Sequence, residues 1–390
     1  MPELLLMFFT TGAINRVYGM IAISFFIIVP WQMMKTGRAY VNGMASVPFY
    51  ALAIFGFLYV LIGEFSIQGF LYYLICPLLA YLAGWVLVDV RKDDAEKNIR
   101  RGIVAFLLGY AIHAFLNYSI NVGHQRWELT DYFAGTLRAA TGSGCINTLA
   151  LSLAVYIFVI EKDKWKKFAG LICVAMSLLY AFLLGTRTQF IIFITVSFVF
   201  LLYYLHEKFG VRSILILAVV TLVLVGISVY LYEKNIFGIK VYIDTSNLMA
   251  RYQDGSGLQS ADSYRTSSLT RGLVNLLNYP FGGLKDTKYY HNLWLDVGRI
   301  AGIFPFVCMI IYTAVINIHA MRIIKSKNIE DSFRYMILCV YFGIQINFLV
   351  EPILEGLLDF FLVFTLINGM IECYYRKIYG GLDVKVLKEK

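Results

Sequence analysis

The stretch of sequence that decides the fold is SILILAVVTLVLVGISVYLY, residues 213–232. It contains no charged residue over 20 positions. As an α-helix it would be about 30 Å long, which matches the hydrocarbon thickness of a bilayer. Because a backbone in lipid must satisfy its own hydrogen bonds, a continuous apolar stretch of this length predicts a membrane-spanning α-helix.

Similar stretches recur along the whole chain. Of the 390 residues, 59% are hydrophobic and 15% are charged, against about 25% charged in a soluble domain. The stretch Leu4–Ile14 is apolar but too short to cross a bilayer alone, so the expected range is ten to twelve spans. The predicted fold class is an all-α, polytopic transmembrane helix bundle. We predict eleven spans, near 17–34, 47–63, 70–90, 102–119, 143–160, 168–185, 189–205, 213–232, 293–318, 335–350 and 357–373.

The positions of the basic residues predict the orientation of this bundle. The net charge is +9, and connections on one side carry 22 Lys and Arg residues. Short connections on the other side carry only three, which are Arg126, Arg138 and Arg187. Cytoplasmic loops are enriched in basic residues, so the first side is predicted to be cytoplasmic. We therefore expect a bundle of about eight spans at 1–232, an extracytoplasmic loop at 233–292, and about three spans with a cytoplasmic tail at 293–390.

The predicted outer loop is too long to be a passive connection, and we expect short amphipathic helices within it. Residues Ser263–Asn278 have the pattern of one such helix, with Arg265 expected near its N-terminus, where free N–H groups favour anions. Its second basic residue is Arg271, and Pro280 follows the helix as a breaker together with two glycines. The apolar positions at helical spacing are Leu269, Leu273 and Leu276.

A tight turn between two predicted spans carries Arg187. The turn reads Gly185-Thr186-Arg187-Thr188, and the chain returns to apolar sequence at once. An arginine at membrane depth costs roughly 2.5–3.5 kcal/mol on insertion scales, which makes it a candidate functional residue. The alternative is an interfacial arginine that snorkels to the headgroups.

Ionisable residues also stand where the outer loop ends and between the last two spans. His291 and Asn292 open the span that follows the loop, and either His291 or a carboxylate is a candidate base. Glu351 and Glu355 lie in a short turn, four residues apart, so they can share a helical face. The alternative for His291 is a satisfied or exposed side chain, and the alternative for Glu351 and Glu355 is a solvated loop turn.

Taken in order, these motifs resemble the bacterial O-antigen and capsular polysaccharide polymerase and O-antigen ligase group. The resemblance covers roughly residues 175–310, and Tyr279 between Asn and Pro and the adjacent pair Gly282-Gly283 depart from the group's pattern. The matching residues are Gly185 to Thr188, Arg265, Asn278 to Gly283, His291-Asn292, and Gly298 to Gly302.

The resemblance implies a metal-independent membrane glycosyltransferase of the C superfamily, without a cofactor. Its substrates would be undecaprenyl-diphosphate-linked oligosaccharides, and its other partners the lipid bilayer and a chain-length regulator. It would work in the bacterial cytoplasmic membrane with its active site facing outward. The implied catalytic residues are His291, Arg187 and Arg265. The implied diphosphate or sugar contacts are Arg187, Arg265, Arg271, Asn292, Glu351 and Glu355.

Other functions remain open alternatives. A ligase that moves finished polymer to another acceptor shares the same motifs, and a flippase would place ionisable residues through its spans and show internal repeats. A scaffold would not require arginines in tight turns. No basic run is interleaved with aromatics, so nucleic acid is not an expected partner. The six cysteines form no CxxC pair, which argues against a zinc site or a disulfide framework.

Overall fold

A computed structural model describes most of the chain. The described residues are 2–14, 16–34, 44–89, 95–124, 129–137, 140–244, 246–247, 249, 258–285 and 287–388, without the side chains at 16–17, 29–34, 141, 213, 224, 242, 258–266 and 381–388. Within these residues the secondary structure is helical, and an isolated bridge between Thr130 and Leu137 is the β-structure present. The predicted all-α class is confirmed.

The helices follow the predicted spans closely. Nine of them are long and apolar enough to cross a membrane, and two shorter apolar helices cover 18–28 and 47–63 among the described residues. Each of these eleven matches one predicted span, so the chain is a multi-pass membrane protein. The helices are α1 Pro2–Thr10, α2 Arg16–Met34, α3 Val47–Gly63, α4 Ile67–Asp89, α5 Ala95–Asn121, α6 Gly142–Ile160, α7 Lys164–Leu184, α8 Arg187–Phe209, α9 Ser213–Glu233, α10 Ile239–Asp244, α11 Leu258–Asn278, α12 Leu293–Ala301, α13 Ile303–Lys325, α14 Asp331–Val350, α15 Ile353–Gly356 and α16 Leu358–Lys388.

One predicted span begins at the wrong residue. The stretch predicted to cross from 293 forms two helices, α12 and α13, and only α13 has the length and composition of a span. Gly302 separates the two helices with a φ of 85°, a backbone conformation that favours glycine. Hydropathy does not reveal this break, because the residues on both sides of Gly302 are apolar.

Local sequence explains several helix ends. The Ser46 hydroxyl caps α3 by accepting a hydrogen bond from the Phe49 N–H at 3.3 Å. Asp163 caps α7 through the N–H groups of Trp165 and Lys166. Gly185 ends the same helix in the left-handed conformation, with a φ of 62°, as glycine commonly does at this position.

The chain forms two compact units. Unit 1 contains Met1–Tyr110, Arg265–Ile337 and Phe348–Lys390, and unit 2 contains Ala111–Tyr264 and Leu338–Asn347. The three-part division predicted at 232 and 292 was drawn at membrane boundaries and stays a prediction.

Close backbone contact holds unit 1 together where α4 crosses α16. A Cβ atom on Gly84 would collide with the Leu366 carbonyl, and one on Gly369 would collide with the Tyr81 carbonyl. Small residues let membrane helices approach closely, and dispersion forces then stabilise the pair because lipid provides no hydrophobic drive between helices.

Candidate functional site

Unit 2 contains the Arg187 turn. Gly185 reverses the chain, Thr186 is buried, and Arg187 is the first residue of α8, with a half-buried side chain. The first N–H groups of a helix have no partner within the helix, and they favour an anion. A positive side chain at this end is unfavourable for the helix dipole, and a bound anion would offset that cost. The turn therefore has the chemistry of an anion site.

A buried polar network lies below this turn within unit 2. Gln189 and Thr148 approach each other at 3.5 Å, and the Asn347 amide donates to the Thr148 hydroxyl. The Cys145 thiol donates to the Asn347 side-chain oxygen at 3.4 Å. All four side chains are buried, so the network fixes the first turn of α8 against α6 and α14.

The helix α11 differs from its prediction in two respects. It begins at Leu258, so Arg265 lies about two turns inside it, and the expectation of Arg265 at the N-terminus is wrong. Of the three predicted apolar positions only Leu276 is buried, since Leu269 and Leu273 are exposed. The buried face of this helix contains Ser268, Gly272 and Leu276, which are spaced four residues apart.

Of the two arginines on α11, the structure describes the side chain of Arg271 only. The side chain of Arg265 is outside the described residues. Arg271 is exposed, and it donates a hydrogen bond of 3.3 Å to Ser268 on its own helix. Arg271 therefore lies on the exposed surface of the helix.

Helix α11 is attached to the segment that carries His291. The Asn275 amide donates to the Tyr290 hydroxyl at 2.6 Å. A Cβ atom on Gly272 would lie 3.0 Å from Leu295 and 3.1 Å from Tyr290, so the helix and the segment are in close contact. The predicted Arg-bearing helix and the predicted His-bearing segment thus form one packed layer in unit 1.

His291 itself has an unusual backbone. Its φ is 55°, in the left-handed region that few non-glycine residues adopt. Its side chain is half-buried, and its ring meets the edge of Tyr289 with centroids 6.2 Å apart. Backbone strain of this kind costs about 1–3 kcal/mol and persists where the surroundings fix it, commonly at functional sites.

Asn292 caps the N-terminus of α12. Its side-chain oxygen accepts a hydrogen bond from the Leu295 N–H at 3.1 Å, which caps α12, and its amide approaches the Leu349 carbonyl at 3.4 Å. The Asp296 carboxylate accepts from the N–H groups of Tyr290 at 2.7 Å and Asn292 at 3.2 Å. These bonds hold the backbone on both sides of His291.

The two glycine-containing motifs, Asn278 to Gly283 and Gly298 to Gly302, contact each other through backbone hydrogen bonds. The Ile303 N–H donates to the Pro280 carbonyl at 2.8 Å, and the Gly283 N–H donates to the Ile300 carbonyl at 3.0 Å. Gly282, with a φ of 75°, has the Gly302 nitrogen so near that a Cβ atom would collide with it. The loop after α11 is thereby anchored to the turn between α12 and α13.

A buried cluster of charged side chains lies in the layer formed by α11 and the His291 segment, and we name it the Arg299 cluster. It consists of Asp296, Arg299 and Glu355. Arg299 is fully buried, its Nη2 pairs with the Glu355 carboxylate, and its Nε lies 3.6 Å from Asp296 Oδ1. Its Nη1 also donates to three carbonyl oxygens of the loop, those of Leu284, Lys285 and Thr287.

Both carboxylates of the Arg299 cluster lie outside the candidate spans, and their pKa values are raised. Burial raises the pKa of Asp296 to about 6, against the lowering effect of the N–H groups of Tyr290 and Asn292. Burial also raises the pKa of Glu355, and the Arg299 guanidinium opposes part of this rise. Glu355 keeps 18% of its side chain exposed, so a ligand can reach it.

The prediction of a shared helical face for Glu351 and Glu355 is wrong. Glu351 precedes Pro352, and α15 contains only Ile353–Gly356, so the two residues are in different backbone conformations. The alternative of a solvated turn is also wrong, since Glu351 is only 2% exposed. Glu355 belongs to the Arg299 cluster, whereas Glu351 lies buried ahead of it in the chain.

Sequence reasoning assigned no role to four ionisable residues of this layer. Asp296 and Arg299 are three residues apart on α12, a spacing that places them on one helical face and could have been read as a pair. Glu64, at the end of α3, pairs with Lys285 at 2.7 Å, and no local signal predicts a contact over that separation. Together they extend the ionisable layer from α3 across the loop to α15.

The structure brings together part of the predicted set. Arg271, His291, Asn292, Glu351 and Glu355 all belong to unit 1, and Arg187 belongs to unit 2. Among the described residues, no group of three or more His, Cys, Asp or Glu side chains is arranged to hold a metal ion.

Comparisons with known proteins give no family. No protein-family model matches this chain, and a search among curated proteins finds no match. The class that the fold defines is a multi-pass helical membrane protein, and the resemblance drawn from the short motifs stays a prediction.

Proposed function

We propose that this chain is a polysaccharide polymerase of the bacterial cytoplasmic membrane. On its outer face it would transfer an undecaprenyl-diphosphate-linked oligosaccharide or growing chain to a sugar hydroxyl of another lipid-linked repeat unit. The observation that supports this most is the convergence of ionisable groups just before α13. The Tyr289 ring lies 5.6 Å from the Arg299 guanidinium carbon and 6.2 Å from the His291 ring, so the candidate base adjoins the Arg299 cluster.

In the proposed reaction, a base removes the proton of the acceptor hydroxyl as its oxygen attacks the anomeric carbon of the donor sugar. The bond from that carbon to the lipid diphosphate breaks, and the diphosphate leaves with the electron pair. His291 is the proposed base, and Glu355 is its rival because its carboxylate is partly exposed. The released proton is carried away by the base.

Arginines are proposed to stabilise the leaving diphosphate. Arg187 and Arg265 would neutralise the charge that develops on its oxygens, and Arg271 and Asn292 would contact the diphosphate or the sugars. The position of Arg187 at the start of α8 supports this role, because the N-terminal end of a helix favours an anion. Glu351 would bind sugar hydroxyls or hold a positive partner.

Charge-conserving variants test the arginines. Arg187→Lys and Arg265→Lys should each lower the polymerisation rate about 10²- to 10³-fold, because lysine cannot make the two-pronged contact with a phosphate. The matched control is Lys288→Arg, an exposed basic position near the site, which should keep the wild-type rate. The measurement is polymer length on gels at equal protein levels. Near wild-type ladders from both arginine variants would reject their role.

The pH dependence of the polymerisation rate tests which residue is the base. If His291 is the base, the rate should fall as acid protonates the imidazole, and His291→Ala should abolish that dependence. An imidazolium that binds phosphate gives the opposite slope. If His291→Ala keeps the rate while Glu355→Gln loses it, the base is Glu355 and the His291 assignment is wrong.

A further inference from the structure

A cavity of about 430 Å³ lies at the opposite end of α13 from the Arg299 cluster, within unit 1. Its polar lining comes from two helices: His319 and Arg322 on α13, and Glu372, Tyr375 and Arg376 on α16. His319 is 16 residues along from Ile303, which is about 24 Å of helix. The cavity is therefore separate from the site proposed above, and it lies on the predicted cytoplasmic side.

A buried carboxylate organises this lining. Glu372 is 1% exposed, accepts from the Arg376 Nε at 2.9 Å, and lies 2.5 Å from the His319 Nδ1. The His319 ring stacks on Tyr375, with centroids 3.8 Å apart and planes 7° from parallel. These contacts leave the basic side chains few rotamers, so they present donors in a fixed arrangement.

The lining has an excess of positive charge. Arg322 donates to the Tyr375 hydroxyl, and within the described part of the chain no carboxylate lies within ion-pairing distance of Arg322. Two guanidinium groups therefore face the single carboxylate of Glu372. Val47, Pro48 and Val315 complete the wall with apolar surface, which can pack against the rest of a ligand.

We propose that this cavity binds a phosphate group, presented by an inner-leaflet lipid headgroup or by a soluble phosphorylated molecule. A guanidinium fork fits phosphate oxygens with two parallel hydrogen bonds, and Tyr375 and His319 add polar contacts beside it. The apolar wall favours a phosphate that carries an organic group. This site does not depend on the polymerase activity proposed above.

The test uses the purified full-length chain in a phosphate-free maltoside detergent. Inorganic phosphate and short-chain phosphatidylglycerol are titrated separately, and the rise in unfolding temperature gives an apparent Kd for each. Arg322→Gln and Arg376→Gln should each weaken binding about tenfold, the effect of one lost charge-assisted contact. Lys325→Gln, which removes the same charge from the last turn of α13 but does not line this cavity, should leave binding unchanged.

A second variant covers the case in which an arginine change unfolds the protein. Val47→Trp fills the cavity without touching any charge, and it should abolish binding. Binding of phosphatidylglycerol alone identifies a lipid headgroup, and binding of inorganic phosphate identifies a soluble source. Absence of both, equal weakening by Lys325→Gln, or undiminished binding in Val47→Trp would overturn the proposal.

Discussion

Arg299 is the residue around which the candidate site is built. A fully buried guanidinium needs partners for its charge, and here two carboxylates balance it. Glu355 and three loop carbonyls accept hydrogen bonds from its two Nη atoms, while its Nε lies 3.6 Å from Asp296 and makes no hydrogen bond among the described residues. The sequence could suggest its pairing with Asp296, three residues before it on α12. It could not predict Glu355 or the carbonyl groups, because those contacts depend on how distant segments fold back.

The ionisation of Asp296 gives a prediction about stability. Its pKa is raised to about 6 in the folded protein from an ordinary value of 3.8, so the folded state holds the proton more tightly than the unfolded state. The resulting stabilisation is present below about pH 3.8 and is lost as pH rises through about 6. Its full size is on the order of 3 kcal/mol.

Thermal unfolding of the wild type and Asp296→Asn from pH 4 to 7.5 measures this effect. The stability of the wild type relative to the variant should fall as pH rises, because only the wild type becomes charged. Glu330→Gln, which removes the charge of a carboxylate that is 64% exposed, is the control for loss of a surface charge. A wild type that gains stability over Asp296→Asn as pH rises would mean that the aspartate is stabilised in its charged form.

At the scale of elements, the spans were predictable and the breaks between them were not. An apolar window of about 20 residues predicts a helix wherever it occurs, which is why all eleven spans correspond to helices. Gly302 interrupts such a window without changing its hydropathy. The pairing of Pro280 with Ile303 likewise needs the fold, because it joins the loop after α11 to the start of α13.

Gly282 and Gly283 allow the cost of a positive φ to be measured separately from the cost of a steric clash. Both have positive φ, 75° at Gly282 and 86° at Gly283, but a Cβ atom meets backbone only at Gly282. Gly283→Ala should therefore cost about 1–2 kcal/mol from conformation alone, and Gly282→Ala considerably more. Unfolding temperatures of the two purified variants test this. Equal losses would show that the close contact between the loop and the Gly302 turn contributes nothing.

At the scale of the whole molecule, composition predicted a multi-pass helical membrane protein. The unequal distribution of Lys and Arg further predicts the side on which each connection lies. The packing of Arg271, His291 and Glu355 in one unit was beyond reach from sequence, because helix order does not determine which helices are neighbours. Motif order groups Arg187 with them; Arg187 belongs to unit 2, and its part in the same site stays a prediction.

Sidedness can be measured with single cysteines in a Cys308→Ala background, since the other five native cysteines are buried. Ser267→Cys on α11 should react with a membrane-impermeant maleimide in intact cells. Lys327→Cys, on the predicted cytoplasmic side, should react only after permeabilisation. Both positions are exposed in the structure. The reverse pattern would invert the topology and remove the proposed outer active site.

The role of divalent metal can be tested by chelation. Because arginines are proposed to neutralise the leaving diphosphate, polymer synthesis by the purified chain should persist in EDTA. Loss of synthesis in EDTA, with recovery on addition of Mg²⁺ or Mn²⁺, would show that the diphosphate is neutralised by a metal ion.

Polymerisation by the purified chain alone, in liposomes supplied with undecaprenyl-diphosphate-linked repeat units, tests the proposed polymerase activity. The products, resolved on gels, should form a ladder whose steps equal one repeat unit, with one undecaprenyl diphosphate released for each bond formed. A single transfer of preformed polymer to a different acceptor would identify a ligase. Movement of intact lipid-linked units across the bilayer without new glycosidic bonds would identify a flippase and contradict the account.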